Sequence, residues 1–166
     1  MLLFVACRWP FLSLRRPVFL ILLLIYIFNF NYVFLLAEFK FMPETILLVE
    51  DDQDILDIMF YMLSDEGYQV LRSSGEDALD QAITGKPDLI LLDHRLQTGW
   101  GADICRVLKS DTSTKNIPVV MVSAAMHMEE TAREAGADGV LHKPFDMHQL
   151  LNLVAGICRP PAEPQP

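Results

Sequence analysis

Five residues of this chain carry groups suited to phosphoryl chemistry, and all stand at the end of short apolar runs. Glu50 and Asp51 follow Ile46 to Val49; Asp93 follows Leu89 to Leu92 within DLILLDHRL; Ser123 follows Val119 to Val122; Lys143 comes just after Gly139 to Leu141. Runs this short, entered from Pro87-Asp88 or Pro118, read as strands buried on both faces of a parallel sheet. Open α/β sheets place their chemistry at the carboxyl edge of the strands, so the five are expected to converge there. Three carboxylates in one pocket repel one another, and a bound divalent cation offsets that cost. An all-oxygen donor set, with neither Cys nor His placed to help, favours Mg²⁺ over zinc. Beside such an ion Asp93 suits a nucleophile toward phosphorus, because a carboxylate can form an acyl phosphate. The metal and Lys143 would neutralise charge on the transferred oxygens, and the Ser123 hydroxyl would hydrogen-bond one of them.

The elements that must position these groups alternate along the chain. After the strand 46 to 49, Ile55, Ile58, Met59, Met62 and Leu63 recur at helical spacing, and Gly67 closes that helix. Tyr68 to Leu71 reads as a second strand, and Ser74 with Asp77 as a capping box opening a helix that ends near Thr84 and Gly85. Beyond Asp93 comes a polar loop (Gln97, Thr98, Gly99), then a helix from Gly101 to Lys109 with Ile104, Cys105 and Leu108 on one face. A helix from Glu129 to Ala135, stopped by Gly136, separates the last two strands. Asp146 caps a final helix that turns Leu150, Leu151, Val154 and Ile157 inward. Five strand-then-helix units with short connections imply a doubly wound, five-stranded parallel sheet with helices on both faces. Asp52 and Asp54 read as favourable charge at a helix amino terminus. His94, His127, His142 and His148 share no ligand spacing and read as surface or loop residues.

The chain is compositionally split. Residues 42 to 166 hold 21 acidic side chains against 9 Lys and Arg, a net charge of about -12 that argues against direct binding of nucleic acid and suits a cation or a basic partner surface. Cys7, Cys105 and Cys158 are odd in number, widely spaced and without a CxxC pattern, and read as reduced, non-functional thiols. Residues 1 to 41 form an apolar leader, in which Val18 to Ala37 is 20 residues without a charge, long enough to cross a bilayer as a helix. Arg8, Arg15 and Arg16 before it would hold the amino terminus in the cytoplasm and send the acidic part across the membrane, away from ATP and kinases. The preferred reading is an upstream start that is not part of the working protein, with the domain opening at Met42; the alternative is a membrane anchor or a cleaved signal. Intact mass of the natural protein decides this, and residues found before Met42 would sink the preferred reading. Pro160 to Pro166 holds four prolines and reads as a disordered tail, residues 159 to 166.

At the strand-end residues the sequence resembles the receiver domains of two-component response regulators, of the stand-alone type. The motifs are LLVEDD, PDLILLDHRL with Gly101 eight residues after the aspartate, VVMVSA, and AGADGVLHKPF, in that order across residues 42 to 158. The resemblance implies a flavodoxin-like fold and a cytoplasmic signalling module in which Asp93 accepts a phosphoryl group from a histidine kinase or histidine phosphotransfer protein. It implies that Asp51, Asp93 and the backbone carbonyl of Arg95 bind Mg²⁺ with Glu50 acting through water, that Ser123 and Lys143 hold the phosphoryl group, and that Lys143-Pro144 is cis. Arg95, and Ala125 two residues after Ser123, are implied to tune the lifetime of the phosphorylated form. Output would be a contact with a downstream protein or onward phosphorelay, with only weak self-phosphorylation and self-dephosphorylation.

The chain departs from the family pattern at three places. Gln97 stands where the family has Pro, which implies a more mobile loop; Val140 stands where a switch Tyr or Phe is expected; and the span from Ser123 to Lys143 is about two residues short. Two rival functions remain open: a degenerate receiver that signals without phosphate, motivated by Val140, and an aspartate-nucleophile phosphatase of the haloacid dehalogenase type. The second needs a carboxylate two residues after the nucleophile, where this chain has Arg95.

Overall fold

The computed structural model describes residues 43–158; the leader, its apolar stretch 18 to 37 and the tail 159 to 166 lie outside the described residues. Five strands, β1 (Thr45–Val49), β2 (Gln69–Ser73), β3 (Leu89–Asp93), β6 (Val119–Ser123) and β7 (Gly139–His142), make one sheet in the order β2-β1-β3-β6-β7, every neighbouring pair parallel. The helices are α1 (Gln53–Asp65), α2 (Ala78–Gly85), α3 (Gly101–Ser110), α4 (Met128–Ala135) and α5 (Met147–Cys158). Among the described residues no helix is long and apolar enough to cross a membrane.

The continuous apolar runs are explained by the two faces of the sheet. Leu47, Val49, Ile90, Leu92, Val119 and Met121 pack on one side with α2, α3 and α4; Ile46, Leu48, Leu89, Leu91, Val120 and Val122 pack on the other with α1 and α5. Each of these side chains is almost wholly buried, worth about 1.5–3 kcal/mol against exposure. Asp88 clips the entry of β3 to β1, its carboxylate accepting from the Thr45 N–H at 2.8 Å while its own N–H donates to the Thr45 carbonyl.

Local signals hold in most places and shift in some. Asp52 is the N-cap of α1, accepting from the N–H groups of Asp54 and Ile55, a cap worth about 1 kcal/mol. Asp146 and Gln149 cap α5 reciprocally. Gly136 ends α4 in the left-handed region, φ +82°, as a C-cap requires. The inward stripe of α1 is Leu56, Met59 and Leu63 rather than one that includes Ile58, which is 54% exposed. The second strand runs 69 to 73 instead of 68 to 71, so Ser73 is its last residue. That shift undoes the Ser74–Asp77 capping box: Asp77 makes no side-chain cap, and its carboxylate accepts from the Ser73 hydroxyl and from Gln81. The same two hydrogen bonds, Ser73 first, hold its carboxyl below the usual range. The polar loop after Asp93 is a small antiparallel hairpin, β4 (Arg95–Leu96) and β5 (Gly99–Trp100).

Candidate functional site

The sheet reverses its winding between β1 and β3, and the carboxyl ends of these strands are where open α/β sheets form a crevice. Glu50 and Asp51 come off β1 there and Asp93 ends β3; ligand oxygens of all three lie within 4.8 Å of one another. Asp93 sits opposite Val122 in the β3–β6 register and Ser123 opposite His142 in the β6–β7 register, which carries Lys143 to the same edge. The Lys143 N–H donates to the Ser123 carbonyl at 2.7 Å, and the Lys143–Pro144 peptide is cis. All five strand-end residues picked out in the sequence converge.

What the sequence did not reveal is how Lys143 is spent. Its ammonium donates to Asp93 Oδ1 at 2.6 Å and to Glu50 Oε2 at 2.7 Å, bridging two nearly buried carboxylates. Burial raises the Glu50 carboxyl above its ordinary value, with Lys143 pulling the other way. For Lys143, burial works to lower its value, but the hydrogen bonds to Asp93 and Glu50 outweigh it and leave it above the ordinary one. One cation against three carboxylates leaves a net charge of about -2 in the cluster, carried on hard oxygen donors, which fits a divalent ion such as Mg²⁺.

The remaining groups are fixed by backbone. Asp93 Oδ2 accepts from the Arg95 N–H at 2.6 Å, which orients the carboxylate and the peptide that follows it. Ser123 Oγ accepts from the Ala125 N–H at 3.0 Å. Asp93, His94, Arg95, Ser123, Ala124, Ala125 and Lys143 line an open cleft of about 330 Å³. Asp51 Oδ2 accepts from the Gln97 N–H at 2.8 Å. Proline has no N–H to donate, so the departure at Gln97 anchors the loop to Asp51 instead of loosening it. Gly101 allows α3 to approach Asp93: a Cβ there would stand 2.1 Å from the Asp93 carbonyl oxygen.

Trp100 was missed by the sequence reading. It opens α3, is 51% exposed, and its ring lies 5.0 Å from that of His94 and 5.4 Å from the Arg95 guanidinium. Two-residue strands leave no periodicity to detect, so the Arg95–Trp100 pairing had no local signal. Val140 is half-buried on β7 beside an open hollow of about 420 Å³ whose wall includes Glu129, Ala132, Arg133 and His142. Cys105 is fully buried, which pushes its thiol up to about 11, as a core residue rather than a reactive one.

These features define a doubly wound α/β domain with an acidic strand edge whose oxygen donors suit a divalent cation. The chain belongs to the response regulator receiver domain family, whose model matches residues 46–155. It is 32% identical to the polar-differentiation response regulator DivK of Brucella anthropi over 116 residues, covering 68% of this chain and 94% of that protein. It is 36% identical to the phosphate regulon transcriptional regulatory protein PhoB of Klebsiella pneumoniae over 121 residues, covering 71% of this chain. The chain spans 53% of that regulator's length. Among solved structures it resembles the receiver domain of NtrX from Brucella abortus, TM-score 0.61 at 31% identity, covering 68% of this chain and 97% of that one. It also resembles the receiver domain of a sensor histidine kinase from Pseudomonas aeruginosa, TM-score 0.65 at 27% identity, covering 70% and 98%; that structure has a magnesium ion coordinated in the active site cleft.

Proposed function

We propose that the chain is a phosphorylation-switched signalling receiver: Asp93 takes a phosphoryl group from a histidine kinase or histidine phosphotransfer protein, and the phosphorylated domain signals by contact with a downstream protein or passes the group on in a relay. The observation that carries this reading is the Glu50, Asp51 and Asp93 cluster with the Lys143 ammonium on two of its members, in a chain of the receiver family. In the transfer an Asp93 carboxylate oxygen bonds to phosphorus as the bond from phosphorus to the donor's imidazole nitrogen breaks, the nitrogen keeping the electron pair. Asp51, Asp93 and the Arg95 carbonyl would hold Mg²⁺, with Glu50 acting through water, and the ion would supply positive charge to neutralise the transferring oxygens. The magnesium reported in the Pseudomonas relative supports that assignment. Lys143 hands its contact with Asp93 over to a phosphoryl oxygen, and the Ser123 hydroxyl, whose oxygen is already seated on the Ala125 N–H, donates to another.

The domain is thus a substrate of a kinase, with only slow self-phosphorylation and self-dephosphorylation, and a cytoplasmic one, where kinases and ATP are found. No carboxylate stands two residues after Asp93 to serve as the acid and base of a dehalogenase-type phosphatase; Arg95 occupies that place. The acidic balance of residues 42 to 166 suits protein partners over nucleic acid.

The test is direct. With Mg²⁺ and acetyl phosphate the full chain is expected to gain one phosphoryl adduct by intact mass, and Asp93→Asn to gain none. An adduct that survives Asp93→Asn, or no adduct on the wild type, would overturn the reading. Chelating the divalent ion should suppress adduct formation on the wild type.

A further inference from the structure

The cleft poses an electrostatic problem for its own substrate. Any phosphoryl donor arrives as an anion, and Asp93, which lines the cleft, is clustered with two further carboxylates, Glu50 and Asp51. Lys143 is bound to two of these carboxylates, so among the described residues that line the cleft Arg95 is the other permanent cation. Arg95 is exposed and makes no ion pair with any described carboxylate. Its guanidinium lies instead against the ring of Trp100, the residue directly opposite it in the β4–β5 ladder. The Trp100 ring also lies 5.0 Å from the His94 ring, tilted at 39° to it. Both neighbours of the ring thus come from the two residues that follow Asp93, and both line the cleft.

We propose that Trp100 is a positioning residue for the phosphoacceptor site: it holds the Arg95 guanidinium at the cleft mouth, where that cation captures the incoming phosphate of the donor before transfer to Asp93. The inference rests on Asp93 being the acceptor. A flexible arginine on an exposed hairpin would otherwise spend much of its time in solvent. A ring within about 6 Å confines it at no charge cost, since a cation over an aromatic face is attracted by the ring quadrupole. Arg95 acts on approach, not on bond making: in the transfer from acetyl phosphate the carboxylate oxygen of Asp93 bonds to phosphorus and acetate leaves with the electron pair, and no proton passes through Arg95 or Trp100.

The experiment follows the rate of adduct formation on the full chain against acetyl phosphate concentration at saturating Mg²⁺. Trp100→Ala is expected to raise the half-saturating donor concentration about two- to fivefold, the worth of one exposed cation–aromatic contact, with the maximal rate unchanged. Arg95→Ala should raise it by about five- to tenfold through loss of the charge itself. The double variant should match Arg95→Ala alone, because Trp100 acts only through Arg95. Trp100→Phe should restore most of the wild-type behaviour, and Tyr61→Ala, an exposed aromatic on α1, should change nothing.

A readout independent of turnover uses the indole itself. In a Trp9→Phe background Trp100 is the sole tryptophan, and quenching of its emission by iodide should fall about twofold on Arg95→Gln, while quenching by neutral acrylamide stays put. Additive effects of the two alanine variants, a fall in maximal rate at unchanged half-saturation, or iodide quenching indifferent to Arg95 would each overturn the proposal. A wild type that forms no adduct overturns the receiver reading with it; a wild type that forms one while Trp100→Ala behaves identically overturns this inference alone.

Discussion

Replacing Lys143 with Met is expected to lower stability at neutral pH by about 2–4 kcal/mol in the absence of divalent ions, somewhat under the usual cost of stripping one partner from a buried ion pair. The side chains left behind are 5% exposed at Glu50 and 9% at Asp93, and they would face each other with no counter-charge between them. The loss is capped because Glu50 can take up a proton. Its carboxyl already lies above the ordinary 4.5, chiefly through burial and against the pull of Lys143, and removing Lys143 lifts it further. A carboxyl whose folded value is raised binds its proton more tightly in the folded state. Its contribution is therefore present below the unfolded value near 4.5 and lost as pH rises through the raised one. The deficit of Lys143→Met should be small in acid and grow toward neutrality, and Mg²⁺ should return part of it. Urea midpoints at several pH values, with and without Mg²⁺, measure this; a deficit independent of both would show that Lys143 matters only through its packing. For the wild type the sign at the alkaline end is fixed by Lys143. Its folded value is raised above 10.5, so its contribution is complete below that pH and disappears as pH climbs past the raised value.

Gly101→Ala is expected to be nearly as costly, for a steric reason. The new Cβ would sit 2.1 Å from the Asp93 carbonyl oxygen, and 3.1 Å and 3.2 Å from the next two atoms, all of them backbone. No side-chain rotation relieves such a contact. Either α3 withdraws, breaking the hydrogen bond from the Gly101 N–H to the His94 carbonyl at 2.8 Å, or the end of β3 moves and takes Asp93 with it. Overpacking of this kind costs about 1–3 kcal/mol, and the displacement falls on Asp93 itself. The variant should therefore lose both melting temperature and the rate of adduct formation. Ala substituted at Gly156, where nothing lies within 4 Å of the added carbon, is the matched control and should be tolerated or mildly stabilising. A Gly101→Ala protein as stable and as reactive as the wild type would refute the close approach of α3 to the end of β3.

Much of this molecule could be read without coordinates because its strands are short and uninterrupted. Ile46 to Val49, Leu89 to Leu92 and Val119 to Val122 lie between two helical layers, so both faces demand apolar side chains and the run itself marks the strand. A parallel sheet then sends every strand's carboxyl end to one edge, and the residues after those runs fall together whatever the loops do. That is why Glu50, Asp51, Asp93, Ser123 and Lys143 could be named from the sequence. The acidic balance, the favourable charge of Asp52 at a helix start, the cap at Asp146 and the stop at Gly136 are likewise local properties of a few neighbouring residues.

The tertiary structure alone decided the rest. Lys143 reaches across 93 positions to Glu50 and 50 to Asp93, and no local pattern says which carboxylates a strand-end lysine will choose. Whether Gln97 loosens or fastens its loop depended on the position of Asp51, 46 residues earlier. The Ser73–Asp77 bond replaced a capping box because β2 runs two residues beyond its apolar core, a register set by pairing with β1. Trp100 meets Arg95 through a hairpin of two-residue strands, too short for any period to show. The strand-end aspartate was thus written in the sequence as a place; its charge balance with Glu50 and Lys143 came from contacts that only the folded chain brings within hydrogen-bonding reach.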